Sequence, residues 1–375
     1  MIPYGKQSVS EEDVRAVTAV LRSDWLTTGP KVEEFEKAIC EYTGASEGVS
    51  VSSGTAALHT AVYAAGIGKG DEVIVPPMTF AATANAILYQ GGRPVFVDVD
   101  PDTLLIDVAK VEQKINDKTK AIISVDYAGQ PCDYDALRRL ATDHHLSFIS
   151  DACHSLGAEY EGEKVGKQAD ISAFSFHPVK GMTTGEGGMV VTNHHDLAEK
   201  SRLFRNHGIN RTFKERAAKE TWYYEMVDLG FNYRLSDIQC ALGISQLKRL
   251  PAGLKRRREV AAAYDDAFSQ QELVKPLGIV PYGVHAYHLY VVRVNTKMTT
   301  RAKFFASLRS QGIGVNVHYI PVHLHPYYRE HLGTKKGMCP VAEEAYEQII
   351  SLPMYSTLTD DEVHSVVEAV GKAGS

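Results

Sequence analysis

The chain has 375 residues, which is long enough for two packed domains or for one large domain with an appendage. Its composition is that of a globular protein, with 44% hydrophobic and 23% charged residues. The net charge of −6, without a basic block, gives no electrostatic basis for nucleic-acid binding, and the five scattered cysteines indicate reduced thiols rather than a disulfide framework.

The N-terminal segment has neither the cationic start nor the apolar core of a signal peptide, and no apolar run in the chain is long enough to span a membrane. We therefore expect a cytoplasmic protein. Ser10 and Asp13 resemble a capping box and predict that the first helix begins directly after Ser10.

Short β-rich runs alternate with helical stretches from residue 50 to about residue 195. Strands are predicted at 72–77, 94–100, 121–127, 147–152, 171–176 and 187–193. Near-continuous apolar runs are typical of strands that are covered on both faces, and the alternation predicts a largely parallel sheet with right-handed crossovers. The loop between the last two runs is too short for a helix, so we expect an antiparallel turn there.

A long charged helical stretch covers residues 235–269, and Pro251 is expected to interrupt it at a kink or at a domain boundary. The segments after it read as a smaller α+β unit. The predicted fold class is therefore α/β, with a large domain over residues 1–250 that contains a mostly parallel sheet. A small C-terminal α+β domain is predicted over residues 251–375.

Asp151 lies at the end of one predicted strand, and Lys180 follows the end of another. A lysine amine can hold an aldehyde cofactor as a Schiff base, and a buried carboxylate can keep a pyridine nitrogen protonated. These two requirements together describe pyridoxal 5′-phosphate (PLP). A lone lysine near a glycine turn is usually only solvated, so it is the pairing with Asp151 that favours the cofactor.

A Ser-Gly-Thr turn at residues 53–55 leads into a helical run and can offer backbone N–H groups and a hydroxyl to a phosphate. The same pattern is also an ordinary helix cap. Ser175 can reach the same phosphate if its loop curls back. No P-loop and no GxGxxG fingerprint occurs, which disfavours a mononucleotide fold.

Three more residues lie close to these groups in the sequence. Phe80 can stack on a flat cofactor, although an isolated phenylalanine is more often core. Cys153 is expected beneath the cofactor ring, and His154 is expected to bond either a ring oxygen or the carboxylate, unless it is structural.

Motifs over almost the whole chain resemble those of the nucleotide-sugar aminotransferases of PLP fold type I. They are WLTTGPKVEEFE, SSGTAAL, SDACHSLGA, FSFHPVKGMTTGEGG, RNHGINR, GFNYRLSDIQCALG, VHYIPVHLHPYY and SLPMY. VDYAGQPCD, DACHSLGA, HPVK with TTGEGG, and WYYEM before the GFNYRL segment carry a finer similarity to the members that act in pseudaminic acid biosynthesis.

The resemblance implies a role for each matching residue. Lys180 would be the Schiff-base lysine and Asp151 the partner of the pyridinium nitrogen. The other implied contacts are the phosphate for Thr55, Ala56 and Ser175, the ring hydroxyl for His154, the ring face for Phe80, the neighbouring subunit's phosphate for Asn232, and the sugar-nucleotide pocket for His318 and Tyr319. The Asn232 contact implies a homodimer. Cys153 departs from the small residue that the family pattern has under the ring.

The implied reaction moves an amino group from L-glutamate to C4 of a UDP-linked 4-keto-6-deoxy-N-acetyl hexosamine. Retention of Lys180 matters because relatives with histidine there become dehydratases. Three alternatives stay open: another UDP- or dTDP-linked 4-keto sugar as the acceptor, a scaffold that binds a sugar nucleotide without chemistry, and a metal enzyme that uses His318, His323 and His325. No zinc-type pattern completes that histidine cluster, so no metal is expected.

Overall fold

The computed structural model describes residues 1–211, 216 and 218–373, and a seven-stranded sheet forms its centre. The strands in chain order are β1 (Glu47–Val51), β2 (Glu72–Val75), β3 (Arg93–Phe96), β4 (Thr119–Val125), β5 (Ser147–Asp151), β6 (Glu159–Tyr160), β7 (Glu163–Lys164), β8 (Ile171–Ser175), β9 (Gly188–Thr192), β10 (Val274–Pro276), β11 (Gly283–Val284), β12 (Tyr290–Val294) and β13 (Ile349–Leu352). The spatial order in the central sheet is β1-β9-β8-β5-β4-β2-β3.

All six predicted strands form in this sheet. Five of them pair in parallel, in the spatial order β3-β2-β4-β5-β8. The predicted antiparallel turn is also present, because β9 pairs antiparallel with β8. Strand β1 was missed by the sequence prediction, and it closes one edge of the sheet antiparallel to β9.

The described helices are α1 (Glu11–Leu21), α2 (Pro30–Thr43), α3 (Gly54–Ala64), α4 (Ala81–Tyr89), α5 (Val108–Glu112), α6 (Tyr134–Asp143), α7 (His195–Phe204), α8 (Asp237–Phe268), α9 (Arg301–Ser310), α10 (Pro326–Leu332), α11 (Pro340–Gln348) and α12 (Asp360–Lys372). The capping box predicted at Ser10 and Asp13 begins α1. Helix α3 is apolar on nearly every side because it is buried against the central sheet and against α4 and α7. Within the described residues, no helix has both the length and the apolar character needed to cross a membrane.

The predicted break at Pro251 is wrong, because α8 continues through this residue as one helix of 32 residues. A kink or a domain boundary at Pro251 stays a prediction. Its start carries a capping box between Ser236 and Gln239, which satisfies two backbone N–H groups. Pro251 is exposed, so its ring and its missing N–H lie on the solvent side of the helix.

A second, antiparallel sheet of order β10-β12-β13 has its own apolar core with the C-terminal half of α8, with α9 and with α12. Its strands and helices correspond to the small α+β unit expected from the sequence. The division at residue 250 stays a prediction, since α8 contributes to both cores.

Candidate active site

The polar residues predicted from the sequence lie at one edge of the central sheet. Asp151 ends β5, Ser175 ends β8, and the Ser52–Gly54 turn follows β1. Strands β1 and β8 run in the same direction because both are antiparallel to β9. The carboxyl ends of these strands therefore meet at one edge, where open α/β sheets bind their ligands.

Asp151 is a buried carboxylate that is held on both oxygens. The Thr83 hydroxyl donates to Asp151 Oδ2 over 2.6 Å, and the Cys153 backbone N–H donates to Oδ1 over 3.2 Å. The Thr83 Oγ1 in turn contacts Thr79 Oγ1 at 2.7 Å. These contacts fix the orientation of the carboxylate before any ligand binds.

Lys180 is partly buried, and its amine has no hydrogen-bond acceptor and no carboxylate within bonding distance among the described residues. Burial lowers the pKa of this amine, and the negative charge of Asp151 opposes the shift. A lysine with a lowered pKa reaches the neutral, nucleophilic form more readily than a solvated one.

Burial raises the pKa of the Cys153 thiol well above its usual range, and the Asp151 charge adds to the effect. The thiol is therefore protonated, and its Sγ lies 3.6 Å from the Ala173 carbonyl oxygen. A Cβ atom on Gly54 would lie 2.7 Å from Ser175 Cβ and 3.4 Å from Cys153 Sγ. Glycine is thus required where the turn passes closest to the two strand ends.

The turn at residues 52–56 forms the start of α3 as predicted. Ser53 is the N-cap, and its hydroxyl accepts from the Ala56 backbone N–H over 3.1 Å. The N–H groups of Gly54 and Thr55 and the Thr55 hydroxyl have no acceptor or donor among the described residues. This helix start is therefore available to an anion.

His154 contacts Tyr319 rather than the Asp151 carboxylate, since its Nε2 lies 3.0 Å from the Tyr319 hydroxyl oxygen. Its other nitrogen, Nδ1, is buried without a partner, which leaves a polar atom for a ligand to satisfy. Burial holds the pKa of His154 well below its usual range, so the ring is neutral. Phe80 is 60% exposed and lies 6.1 Å from the Tyr319 ring, so it is not a core residue.

His318 is buried beside Tyr319, and its Nδ1 lies 2.8 Å from Ser351 Oγ. Burial and the Lys180 charge lower its pKa to about 4. Asn232 is exposed, its side chain makes no hydrogen bond among the described residues, and only its backbone pairs with Asn206. The structure brings the other predicted residues together, and Asn232 precedes Tyr233, whose carbonyl oxygen accepts from the Ser52 backbone N–H over 2.8 Å.

A family model for the DegT/DnrJ/EryC1/StrS aminotransferases matches residues 7–371. The chain belongs to this aminotransferase family.

Three relatives are similar to this aminotransferase over almost their full lengths. An uncharacterized protein of Methanocaldococcus jannaschii is 45% identical, covering 99% of this chain and 97% of the relative. The spore coat polysaccharide biosynthesis protein SpsC of Bacillus subtilis is 42% identical, and the similarity covers 98% of this chain and 96% of SpsC. The UDP-4-amino-4,6-dideoxy-N-acetyl-beta-L-altrosamine transaminase of Campylobacter jejuni is 39% identical, covering 99% of each.

Two solved structures have the same fold as this aminotransferase. Helicobacter pylori PseC, an aminotransferase involved in pseudaminic acid biosynthesis, has a TM-score of 0.93 and 37% identity, covering 99% of this chain and 98% of PseC. The PLP form of a putative sugar aminotransferase from Streptococcus pneumoniae has a TM-score of 0.93 and 32% identity, and the match covers 100% of this chain and 98% of that protein. The protein is thus a sugar aminotransferase with PLP as its cofactor. The alternative of a scaffold that binds a sugar nucleotide without catalysing a reaction is not retained.

The residues at the strand ends fit PLP. The unpaired lysine amine suits the aldehyde, and the buried carboxylate suits the ring nitrogen. The free N–H groups at the start of α3 suit the phosphate, and the unsatisfied Nδ1 of His154 suits the ring hydroxyl. No cluster of three His, Cys, Asp or Glu side chains that could hold a metal ion occurs in the described part of the chain. His323 contacts Glu343 instead, at 2.8 Å.

Sequence reasoning missed two residues of this site. Thr83 lies on the first turns of α4, and only the helix register shows that its hydroxyl points at Asp151. His288 contacts His154 with ring centroids 4.3 Å apart and ring planes tilted by 46°, although it comes from the segment before β12. The Thr-Phe-Ala-Ala-Thr pattern after β2 contains Thr83 as well as Phe80, and it places a second hydroxyl one helical turn after Thr79.

Proposed function

We propose that this aminotransferase moves an amino group from L-glutamate to C4 of UDP-2-acetamido-2,6-dideoxy-β-L-arabino-hex-4-ulose. The product would be UDP-4-amino-4,6-dideoxy-N-acetyl-β-L-altrosamine, an intermediate of pseudaminic acid biosynthesis. The observation that carries the proposal is similarity over 99% of the chain to the altrosamine transaminase and to PseC. We further propose a cytoplasmic homodimer, in which Asn232 reaches the phosphate in the partner subunit.

The proposed catalytic residues are Lys180 and Asp151. When bound, PLP accepts the electron pair of the carbon from which a proton is removed. The Lys180 amine takes that proton from the α-carbon of the donor and returns it later, acting as base and then as acid. The Asp151 carboxylate holds a proton on the pyridine nitrogen, and Thr83 keeps this carboxylate in place.

The remaining residues would bind and position the small molecules. Thr55, Ala56 and Ser175 hold the phosphate, Phe80 covers the ring, and His154 bonds the ring hydroxyl through the Nδ1 that has no other partner. His318 and Tyr319 line the sugar-nucleotide pocket, where their rings lie 5.0 Å apart.

The absorbance spectrum of the PLP-loaded protein tests both half-reactions. We expect L-glutamate to bleach the visible band of the cofactor and the UDP-4-keto sugar to restore it. A band that glutamate bleaches and this sugar does not restore would contradict the proposed acceptor. Lys180→Ala should lack the visible band and all turnover, and Asp151→Ala should bind cofactor yet lose most of the activity; near-normal rates in either variant would contradict the assigned roles.

A second acceptor is favoured by the 42% identity to SpsC of B. subtilis, which acts in spore coat polysaccharide biosynthesis. This similarity supports another UDP- or dTDP-linked 4-keto-6-deoxy sugar. The same titration with a D-configured UDP sugar and with a dTDP sugar separates the two proposals, since the true acceptor restores the band at the lowest concentration.

A further inference from the structure

Tyr319 makes a contact that its place beside the sugar-nucleotide pocket does not require. Its hydroxyl oxygen lies 3.0 Å from Nε2 of the buried His154 ring, and among the described residues this hydroxyl has no other hydrogen-bond partner. The main chain directly before it is held by the Tyr127 hydroxyl, which donates to the His318 carbonyl oxygen. Within the described part of the chain, the proton of the Tyr319 hydroxyl therefore has Nε2 of His154 as its acceptor.

The direction of this hydrogen bond depends on which nitrogen of His154 carries a proton, because a tyrosine hydroxyl can either donate or accept. With the proton on Nε2, the Tyr319 oxygen would accept, and both the hydroxyl proton and the bare Nδ1 would lack a partner among the described residues. With the proton on Nδ1, the hydroxyl donates to Nε2, and the Nδ1–H is the one group left open. The second arrangement leaves fewer polar groups unpaired, so the geometry favours it.

The His154 ring carries one proton, not two. Burial holds its pKa well below the usual range. The titratable groups that lie near the rings of His154 and Tyr319 are Asp151, Cys153, Lys180, His285, His288 and His318. Within the described part of the chain, none of them is hydrogen-bonded to the His154 ring or to the Tyr319 hydroxyl, so this hydroxyl is the group that distinguishes the two ring nitrogens.

The fold holds the His154 ring in place from its other side. Residues 286–289 are tied to residues 128–129 by two backbone hydrogen bonds of 2.9 and 3.0 Å. His288 belongs to this tied segment and contacts His154 with ring centroids 4.3 Å apart. The protein alone therefore orients the ring, with Nε2 towards Tyr319 and the opposite nitrogen open.

We infer that Tyr319 is a positioning residue that fixes the tautomer of His154, so that the Nδ1–H of this histidine donates to the ring oxygen of PLP. The inference rests on the proposed function, which supplies the contact between His154 and the ring hydroxyl. An N–H donor stabilises the ionised form of that oxygen more than its protonated form. Tyr319 would thereby act on the cofactor through His154 and connect the cofactor ring with the pocket that the same tyrosine is proposed to line.

The pH dependence of the visible band of the PLP-loaded protein, measured without substrates, tests this role. Loss of the proton from the linkage with Lys180 leaves the full negative charge on the ring oxygen, so a donor to this oxygen lowers the pH midpoint of the band. Tyr319→Phe should raise the midpoint by roughly 0.5–1 pH unit, because the Nδ1 proton is no longer fixed. Tyr287→Phe is the matched control and should not move it, since Tyr287 is also half-buried and its hydroxyl makes no hydrogen bond among the described residues.

A double-mutant cycle shows whether Tyr319 acts through His154. His154→Asn removes the imidazole and keeps an amide N–H group near the place of Nδ1. In this background, Tyr319→Phe should leave the midpoint within about 0.2 pH unit, because the ring through which it acts is absent.

A second measurement reads the tautomer in the wild-type protein and does not depend on a variant that folds. In the PLP-loaded protein labelled with ¹⁵N-histidine, the nitrogen signals of His154 are those that are missing from the spectrum of His154→Asn. We expect the chemical shift of a protonated nitrogen for Nδ1 and that of a bare nitrogen for Nε2. The reverse assignment would overturn the inference.

An unchanged midpoint in Tyr319→Phe would also overturn it and leave Tyr319 as a residue of the sugar-nucleotide pocket alone. Equal shifts in the wild-type and His154→Asn backgrounds would do the same, since Tyr319 would then reach the cofactor by another route. Failure of the proposed function would show differently, as a wild-type visible band that L-glutamate does not bleach or that the UDP-4-keto sugar does not restore.

Discussion

At the scale of single residues, the buried polar groups around Lys180 are divided between those already satisfied and those left open. Asp151 has two donors, whereas His154 Nδ1 and the Lys180 amine have no partner among the described residues. Leaving buried groups unsatisfied costs free energy unless a ligand completes them. The pattern of open groups therefore indicates where the cofactor's own polar atoms bind.

Thr83 is expected to act as a positioning residue for Asp151. Thr83→Val removes the 2.6 Å hydrogen bond to Oδ2, and we expect kcat to fall roughly tenfold because the carboxylate is no longer fixed. Thr83→Ser should restore most of the rate and return the pH dependence of the visible band to that of the wild type. Thr60→Val is the control, since Thr60 is a buried threonine whose hydroxyl has no partner. An equal loss in both valine variants would show a packing effect alone.

The residues found from the sequence were those next to a strand end, where chain neighbours are also spatial neighbours. Asp151, Cys153 and Ser175 belong to this group. His288 could not be found in the same way, because it reaches the site from the segment before β12. Its contribution depends on how the second sheet packs against the first, which no local pattern specifies.

At the scale of elements, the strands that are apolar throughout were predicted with bounds correct to within a few residues. Strand β1 was not predicted at all. Its sequence, EGVSV, contains glycine and serine, so it lacks the continuous apolar run that identified the others. Helix α8 was predicted over nearly its full length, and its passage through Pro251 shows that an exposed proline does not end a helix that is packed on both sides of it.

The start of α8 fixes the N-terminal region through one buried carboxylate. Asp237 is 0% exposed, and its oxygens accept from the backbone N–H groups of Gly29 (2.7 Å) and Lys31 (2.9 Å). Asp237→Ala should lower the free energy of unfolding by roughly 3 kcal/mol, because two buried N–H groups lose a charged acceptor.

Urea unfolding followed by circular dichroism measures this change. Asp266→Ala serves as the matched control, since Asp266 lies exposed on the same helix and should change stability by less than about 0.5 kcal/mol. A loss of similar size in the two variants would mean that the contact with residues 29–31 is not the cause.

At the scale of the whole molecule, the buried histidines make stability depend on pH. Burial lowers the pKa of His59 and His318 to about 4 and that of His285 to about 3. A histidine with a lowered pKa in the folded state stabilises the protein above pH 6.5, and this contribution is lost as the pH falls towards the folded pKa. Asp126 acts in the opposite direction, because burial raises its pKa to about 6.

We expect the free energy of unfolding to be lower at pH 5 than at pH 7, with His59, His285 and His318 each contributing about 2 kcal/mol to the difference. Urea titrations at the two pH values measure it. His59→Gln should reduce the difference by about that amount, while His364→Gln, at an exposed position on α12, should leave it unchanged. A wild-type protein that is equally stable at both pH values would contradict the expectation.

The pairing of β1 with β9 also sets a lower bound on the time at which the protein can first work in the cell. The Ser46 backbone N–H bonds to the Asn193 side chain, 147 residues further along the chain, and the β1 ladder pairs with the residues just before Asn193. A ribosome that adds 5–20 residues per second needs roughly 7–30 s to make that stretch. The turn that follows β1 cannot be anchored earlier, so a nascent chain has no complete cofactor site until β9 has emerged.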